Sequence, residues 1–245
     1  MREALVVGGA NGIGLAIATL FAGDAEYGKI YIVDRVDVDP KYAHAKFEYR
    51  NFDLRSEDFS LFDEFKGVDT LMITAGFGRL AHFADVEESH IVDSFSVNTT
   101  AVIRIIHHFY DRLLGEGDFY CGVMGSIAGF LSSPLFAVYG ATKAALKIFI
   151  ESVNVELEMS GSKNRILNVS PGSIKGTSFY KGDNDLSLTI QLAQDIVDNL
   201  KARNDLFIPM YDEVFREVLE RYHSDFRAEG RHSYEYKMSS GRVKK

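Results

Sequence analysis

Val7-Gly8-Gly9-Ala10-Asn11-Gly12-Ile13-Gly14 lies between an apolar run, Ala4 to Val7, and a segment, Gly12 to Ala22, whose apolar residues recur at helical spacing. Strand, tight glycine turn and helix follow one another without a linker. Gly8 turns where a side chain would clash, Gly12 lets backbone come close to a ligand, and Gly14 lets the helix pack near the strand. Such a turn aims backbone amides and the positive helix end at an anion. Gly8, Asn11, Gly12, Ile13 and Gly14 are therefore the candidate contacts of a dinucleotide pyrophosphate. A glycine turn alone is weak evidence; its place after the first strand of an alternating chain gives it weight.

Working outward, the same alternation continues. Strand patterns fall at Ile30–Val33, Phe47–Phe52, Thr70–Thr74, Phe119–Met124, Arg165–Val169 and Leu206–Ile208. Between them the spacing predicts helices over Glu57–Phe65, Ser89–Leu114, Ala137–Met159, Asp185–Leu200 and Tyr211–Phe226. Alternating strands and helices predict one α/β domain over residues 1–245, a Rossmann-type doubly wound parallel sheet with helices on both faces. Residues 173–245 are expected to add a substrate lid and a C-terminal extension. In such sheets ligands bind beyond the carboxyl ends of the strands, so the loops after Val7, Val33, Thr74, Met124 and Val169 should face one cleft.

The 245 residues carry a formal net charge of −8, which repels phosphate backbones and argues against a nucleic-acid partner. The basic run Gly241-Arg242-Val243-Lys244-Lys245 reads as a solvated tail. Cys121 is the one cysteine, so no internal disulfide forms. No apolar stretch reaches the roughly 18 residues of a bilayer span and no leader pattern is seen. The expectation is a cytoplasmic protein with no membrane association. The seven histidines form no metal-ligand spacing, so no metal is expected.

Asp34 stands 20 residues after Gly14 (34 − 14), at the end of the second strand. A carboxylate there accepts from both adenosine ribose hydroxyls and repels a 2′-phosphate, favouring NAD(H); the neighbouring Arg35 keeps NADP(H) open. Tyr139 and Lys143 share a helix face at i and i+4. A nearby ammonium favours the phenolate, lowering the tyrosine from about 10, and such a tyrosine exchanges a proton with an alcohol. Ser126, just past a strand, is placed to hold a substrate oxygen. Asn98 lies within a helix, where asparagine needs a reason. Two readings stand: it positions a relay water near Lys143, or it is a buried asparagine satisfied by backbone.

These motifs, in this order, resemble the short-chain dehydrogenase/reductases in their compact form of about 250 residues. The resemblance covers about residues 3–180. The TGxxxGxG motif appears with Val7 for threonine, then Gly8, Gly12 and Gly14. Asp34 matches the family acid, and Asp53 in Asp53-Leu54 matches the aspartate that meets the adenine. Ile73-Thr74-Ala75-Gly76 stands where the family has NNAG, Val97-Asn98 matches the helix asparagine, and Tyr139-Gly140-Ala141-Thr142-Lys143 is the YxxxK motif. Ser126 precedes the tyrosine by 13 residues (139 − 126). Pro171-Gly172 matches the turn whose backbone meets the nicotinamide. Losing threonine at Val7 and both asparagines removes side-chain bonds that brace the glycine turn. The threonine for the carboxamide is met by Thr177 only if that loop is one residue longer, because Gly176 holds the expected place.

The resemblance implies an NAD(P)-dependent oxidoreductase that transfers a hydride between nicotinamide and an alcohol or carbonyl substrate. It implies Tyr139 as general acid/base, Ser126 as orienter, Lys143 as tyrosine activator and ribose ligand, and Asn98 as holder of a relay water. It further implies cofactor contacts from Gly8, Asn11, Gly12, Ile13, Gly14, Asp34, Arg35, Asp53, Leu54, Ala75, Gly76, Tyr139, Lys143, Pro171, Gly172, Ile174 and Thr177. Relatives pair through their two long helices, which implies a homodimer or homotetramer. Two alternatives differ in class. A nucleotide-sugar epimerase or dehydratase usually carries GxxGxxG and a larger C-terminal domain; the spacing here argues against it. A non-catalytic NAD-sensing or scaffold protein typically loses the tyrosine or lysine, and both are kept.

For the substrate wall, Phe130, Leu131, Leu135, Phe136, Phe179 and Tyr180 are candidates, with simple core packing the equal alternative. Ile174 to Leu188 reads as a mobile lid. The segment from Tyr211 onward covers either the cleft or a subunit partner.

Overall fold

The computed structural model describes residues 1–177, 184–241 and 243. Phe179 and Tyr180, within the segment Ile174 to Leu188 expected to form a lid, and most of the basic tail lie outside the described residues. Among the described residues a seven-stranded parallel sheet runs in the order β3-β2-β1-β4-β5-β6-β7. The strands are β1 (Arg2–Val7), β2 (Tyr27–Asp34), β3 (Phe47–Asn51), β4 (Thr70–Ile73), β5 (Tyr120–Met124), β6 (Ile166–Val169) and β7 (Leu206–Phe207). The helices are α1 (Gly12–Gly23), α2 (Glu88–Phe95), α3 (Ala101–His108), α4 (Tyr110–Leu114), α5 (Ala137–Met159), α6 (Ile190–Lys201), α7 (Arg216–Ser224) and α8 (Phe226–Ser239). The doubly wound parallel sheet expected from the alternation is present.

Successive side chains of a strand point to opposite faces. Along β1, Leu5 and Val7 join the core made with α3 and α5, while Ala4 and Val6 join the core made with α1 and α6. All four are essentially fully buried. A strand covered on both faces has no polar side, which is why Ala4–Val7 of β1 and Leu71–Ile73 of β4 read as unbroken apolar runs. The strand order reverses between β1 and β4, so the loops leaving these strands diverge and open a crevice at their carboxyl ends.

Several elements depart from the sequence reading. The helix expected over Glu57–Phe65 is a 3-10 segment over Ser60–Phe65, stabilised by the ring cluster Phe52, Phe59, Phe62 and Phe65. The long helix expected over Ser89–Leu114 is interrupted twice. A π-turn at Ser96–Thr100 separates α2 from α3, with the Ala101 amide donating to the Ser96 carbonyl. Phe109 (φ −98°, ψ 11°) then separates α3 from α4. The apolar spacing survives both breaks, so periodicity alone could not show them. The expected Tyr211–Phe226 helix is a π-turn over Tyr211–Phe215 followed by α7, and α8 extends beyond it. Among the described residues no helix is long and apolar enough to cross a membrane.

Candidate active site

The glycine turn is built by close approach. Gly8 (φ +84°) and Gly12 (φ +55°) occupy the left-handed region, and a Cβ at Gly8 would strike the Ala75 backbone. A Cβ at Gly14 would strike the Gly8 carbonyl and the Thr74 hydroxyl, so α1 starts tight against the sheet. The Thr74 hydroxyl lies 3.1 Å from the Val7 carbonyl oxygen and 3.0 Å from that of Gly8, donating to them. This corrects the expectation of an unbraced turn: a threonine from β4's end supplies the bond that the missing family side chains would make. The Asp34 carboxylate accepts from the Ala10 amide at 3.1 Å and from the Arg35 amide at 2.7 Å. It thus ties the end of β2 to the turn, while the Arg35 side chain stays exposed.

The loop after β6 returns over the same turn. Buried Thr177 brings its methyl within 3.4 Å of a Cβ built on Gly12, and its hydroxyl donates to the Ile174 carbonyl at 2.9 Å. Asn11 is exposed and Ile13 half-buried at the mouth of the turn. The Gly12 amide donates to the side-chain oxygen of Asn184 at 2.7 Å, and the Tyr42 hydroxyl donates to the Asn184 carbonyl at 2.9 Å. Asn184 carried no motif and was missed from sequence. Asp53 is held down to about 2 by the Arg55 guanidinium, which lies 2.6 Å from it and also reaches Asp93 at 3.3 Å. Leu54 is buried beneath it.

The π-turn at Ser96–Thr100 aims Asn98 inward. Fully buried, its Oδ1 accepts from the Phe77 amide at 2.9 Å, and its Nδ2 donates to the Phe77 carbonyl at 2.8 Å and to the Thr142 hydroxyl at 3.2 Å. The Asn98 side chain is therefore satisfied by backbone, and it clamps the loop after β4. Thr142, also missed from sequence, donates to the Tyr139 carbonyl at 2.7 Å and so joins α5 to the clamp. Ala75 and Gly76 sit in this loop. A Cβ at Gly76 would approach Asn98 Oδ1 to 3.2 Å and Lys143 Nζ to 3.4 Å, which brings Asn98 and Lys143 to the same side of one glycine.

Lys143 is buried and donates from Nζ to the Met124 carbonyl at 2.7 Å. Burial pushes its ammonium down to about 8. Tyr139 keeps part of its residue surface open, but the protein packed about its hydroxyl pushes the phenol up to about 12, against a hydrogen bond with Ser126 that pulls it down. The expectation that Lys143 lowers the tyrosine is thus corrected. Lys143 Nζ stands 5.7 Å from the phenol ring centre, and burial of the hydroxyl, opposed by the Ser126 hydrogen bond, sets the direction of the shift. Ser126, at the end of β5, accepts from the Ala128 amide at 3.2 Å, and its hydroxyl lies 3.5 Å from the Pro171 carbonyl. Ile127 donates to the same carbonyl at 3.1 Å, so the Ser126 and Pro171-Gly172 loops are joined.

The Phe136 ring stacks on Tyr139 at 4.2 Å, and Leu135 lines a cavity beside the same tyrosine. Phe130 and Leu131 do not join this wall. They line a separate groove of about 470 Å³ with Ala137, Ala141, Ala144 and Tyr222, on the face of α5 turned away from Tyr139 and Lys143. The C-terminal segment folds onto its own chain. A Cβ at Gly172 would meet the Phe215 ring at 2.8 Å, and Lys237 donates to the Ser133 hydroxyl at 2.6 Å and the Pro134 carbonyl at 3.0 Å.

Comparisons with known proteins agree with this construction. Residues 2–185 match the short chain dehydrogenase family. A short-chain dehydrogenase of Pyricularia oryzae is 29% identical over 89% of this chain and 80% of its own length. A short chain dehydrogenase/reductase of Claviceps purpurea is 29% identical over 71% of this chain, and the match spans only 62% of that protein. Among solved structures, an alcohol dehydrogenase from Thermococcus sibiricus complexed with 5-hydroxy-NADP superposes with TM-score 0.70 at 24% identity, covering 85% of this chain and 95% of its own. A short-chain dehydrogenase from Sphingobium yanoikuyae in complex with NADPH gives 0.73 at 21%, covering 92% and 96%.

Proposed function

Since the chain belongs to the short-chain dehydrogenases, we propose that it is an NAD(P)-dependent oxidoreductase moving a hydride between nicotinamide and an alcohol or carbonyl carbon, with Tyr139 as general acid/base. The observation that carries this reading is the convergence of Ser126, Tyr139 and Lys143 from the end of β5 and one face of α5, with Asn98 locking the facing loop. The turn residues fit a dinucleotide: Gly8 and Gly14 leave no room for a side chain, and the Gly12 amide already takes an oxygen, that of Asn184. Asp34 beside Ala10 favours unmodified ribose and hence NAD(H). NADP(H), bound by similar proteins of known structure, remains the competing cofactor, and Arg35 is the cation that would serve its 2′-phosphate.

The bound cofactor would carry the hydride; the chain's own groups handle position and proton. A phenol held near 12 keeps its proton at neutral pH, so Tyr139 is armed as the acid that protonates a carbonyl oxygen during reduction. Ser126 donates to the same oxygen and fixes its direction. Lys143, near 8, stays mostly charged at neutral pH, donates toward the ribose and can return a proton to the tyrosine. In oxidation each proton runs the other way.

Turnover of NADH and NADPH across a carbonyl and alcohol panel tests the reading. Tyr139→Phe should remove turnover while leaving cofactor binding within a few fold; turnover that persists in that variant would show that another group moves the proton.

A further inference from the structure

Beside Tyr139, on the side away from Lys143, lies a cavity of about 30 Å³. Its walls include the apolar side chains of Phe83, Val86 and Leu135; its polar lining includes Arg79, His90 and Tyr139 itself. Arg79 Nε is buried there with no hydrogen-bond partner, and no acid pairs with the guanidinium among the described residues. Arg50, Arg55 and Arg221 lie within hydrogen-bonding distance of carboxylates, and Arg203, whose Nε is likewise buried without a partner, still places its guanidinium 2.6 Å from Asp118. A shielded guanidinium donor without a partner is costly, and native proteins seldom keep one without a use.

The placement of Arg79 is fixed from both sides. Phe77 is held at its amide and its carbonyl by Asn98. Gly78 presses its backbone against the Phe136 and Tyr139 rings. Ala81 then donates to the Leu135 carbonyl at 2.9 Å, where Leu135 adopts φ +64°, a conformation a leucine rarely takes. The His90 ring packs edge-on to Phe77 at 5.5 Å. The cation is therefore carried on a rigid strap next to the proton donor, the arrangement a substrate-orienting group needs.

We propose that this cavity takes a carboxylate carried by the substrate, with Arg79 reading it and thereby setting the reacting carbonyl against Tyr139. The inference rests on the oxidoreductase reading of Tyr139. The guanidinium fork matches the two oxygens of a carboxylate, and one positive charge balances one negative charge. A phosphate ester would leave charge unmatched among apolar walls. Because Arg79 and Tyr139 border the same small space, carboxylate and carbonyl are separated by few bonds, which selects short oxo acids and the corresponding hydroxy acids over sterols or sugars.

The test uses the full chain and three probes, pyruvate, acetoacetate and levulinate, each against its methyl ester. Wild type should prefer at least one acid over its ester by about 100-fold or more in kcat/KM. Arg79→Gln should collapse that acid-to-ester ratio, chiefly through KM, as expected when one partner of a shielded charge pair is truncated. Arg79→Lys should restore only part of it, since the charge returns without the fork. Equal turnover of acids and esters by wild type, or a ratio unchanged in Arg79→Gln, would overturn the carboxylate assignment while leaving the oxidoreductase reading in place. If none of these acids or esters turns over, the wider carbonyl and alcohol panel decides the oxidoreductase reading, and calorimetric titration of the same acids and esters decides the carboxylate site. A preference for acids that Arg79→Gln abolishes supports the carboxylate site; equal binding refutes it. Unchanged melting curves for both variants exclude misfolding as the cause.

Discussion

Replacing Gly78 by alanine adds one methyl group at the point where the loop after β4 meets the Tyr139 ring. The new Cβ would stand 2.6 Å from Phe136 Cε2 and 2.8 Å from Tyr139 Cδ2. Ordinary carbon contacts begin near about 3.5 Å, so the rings must yield by roughly 0.7–0.9 Å. They cannot yield separately, because Phe136 and Tyr139 are stacked at 4.2 Å with their planes 22° apart. Nor can the loop retreat, since Asn98 holds both polar groups of Phe77. Overpacking of this kind costs about 1–3 kcal/mol. If Tyr139 is the proton donor proposed above, a displacement approaching 1 Å lowers kcat by about 10–100-fold. The assay is kcat for the best carbonyl substrate, with NADH affinity and melting temperature measured beside it. Gly67→Ala is the control, because nothing lies within 4 Å of a Cβ at Gly67. A Gly78→Ala variant with kcat within about twofold of wild type would show that the position of the Tyr139 ring does not limit proton transfer.

Three further outcomes follow from the same geometry. Asn98→Ala leaves the Phe77 amide and carbonyl without their partner and should cost about 2–4 kcal/mol, or about 4–16 °C in melting temperature; a shift under about 2 °C would remove the clamp from the account. With Lys143 lowered to about 8, its charged form is present below that pH and is lost as pH rises through it. Carbonyl-reduction kcat/KM should therefore fall above about 8, with the limb displaced upward in Lys143→Arg; a profile flat to about pH 10 would contradict this. Tyr139, near 12, adds no limb in that range. Removing the Asn184 oxygen from the Gly12 amide frees a donor for phosphate, so Asn184→Ala should tighten NADH or NADPH by about 2–10-fold; weaker binding would make Asn184 a cofactor ligand instead.

The fold was largely legible because its signals are local. The β1 run, the glycine turn and the alternation of strands with helices each follow from neighbouring residues, and the parallel sheet is the packing that buries strands apolar on both faces. The π-turn at Ser96–Thr100 was illegible, because the apolar spacing runs through it; what stabilises it is Asn98 reaching Phe77, a contact 21 residues distant in sequence. Thr74 was read as a lost brace and turns out to be one, since its bonds are to Val7 and Gly8 on another strand.

The sequence by itself determined which residue types could carry the chemistry: a carboxylate at Asp34 and a hydroxyl at Ser126 where strands end, and a phenol at Tyr139 and an amine at Lys143 on one helix face. Only the tertiary structure decided the ionisation of Tyr139 and Lys143 and the company all four keep. Tyr139 rises and Lys143 falls because burial acts on each separately, and burial is a sum over distant segments that no local spacing contains. Arg79 belongs to the same category. In sequence it is one arginine among many; in the fold it borders the cavity beside the tyrosine with no acid paired to it among the described residues, because Asn98, Gly78 and Leu135 converge there from three separate elements.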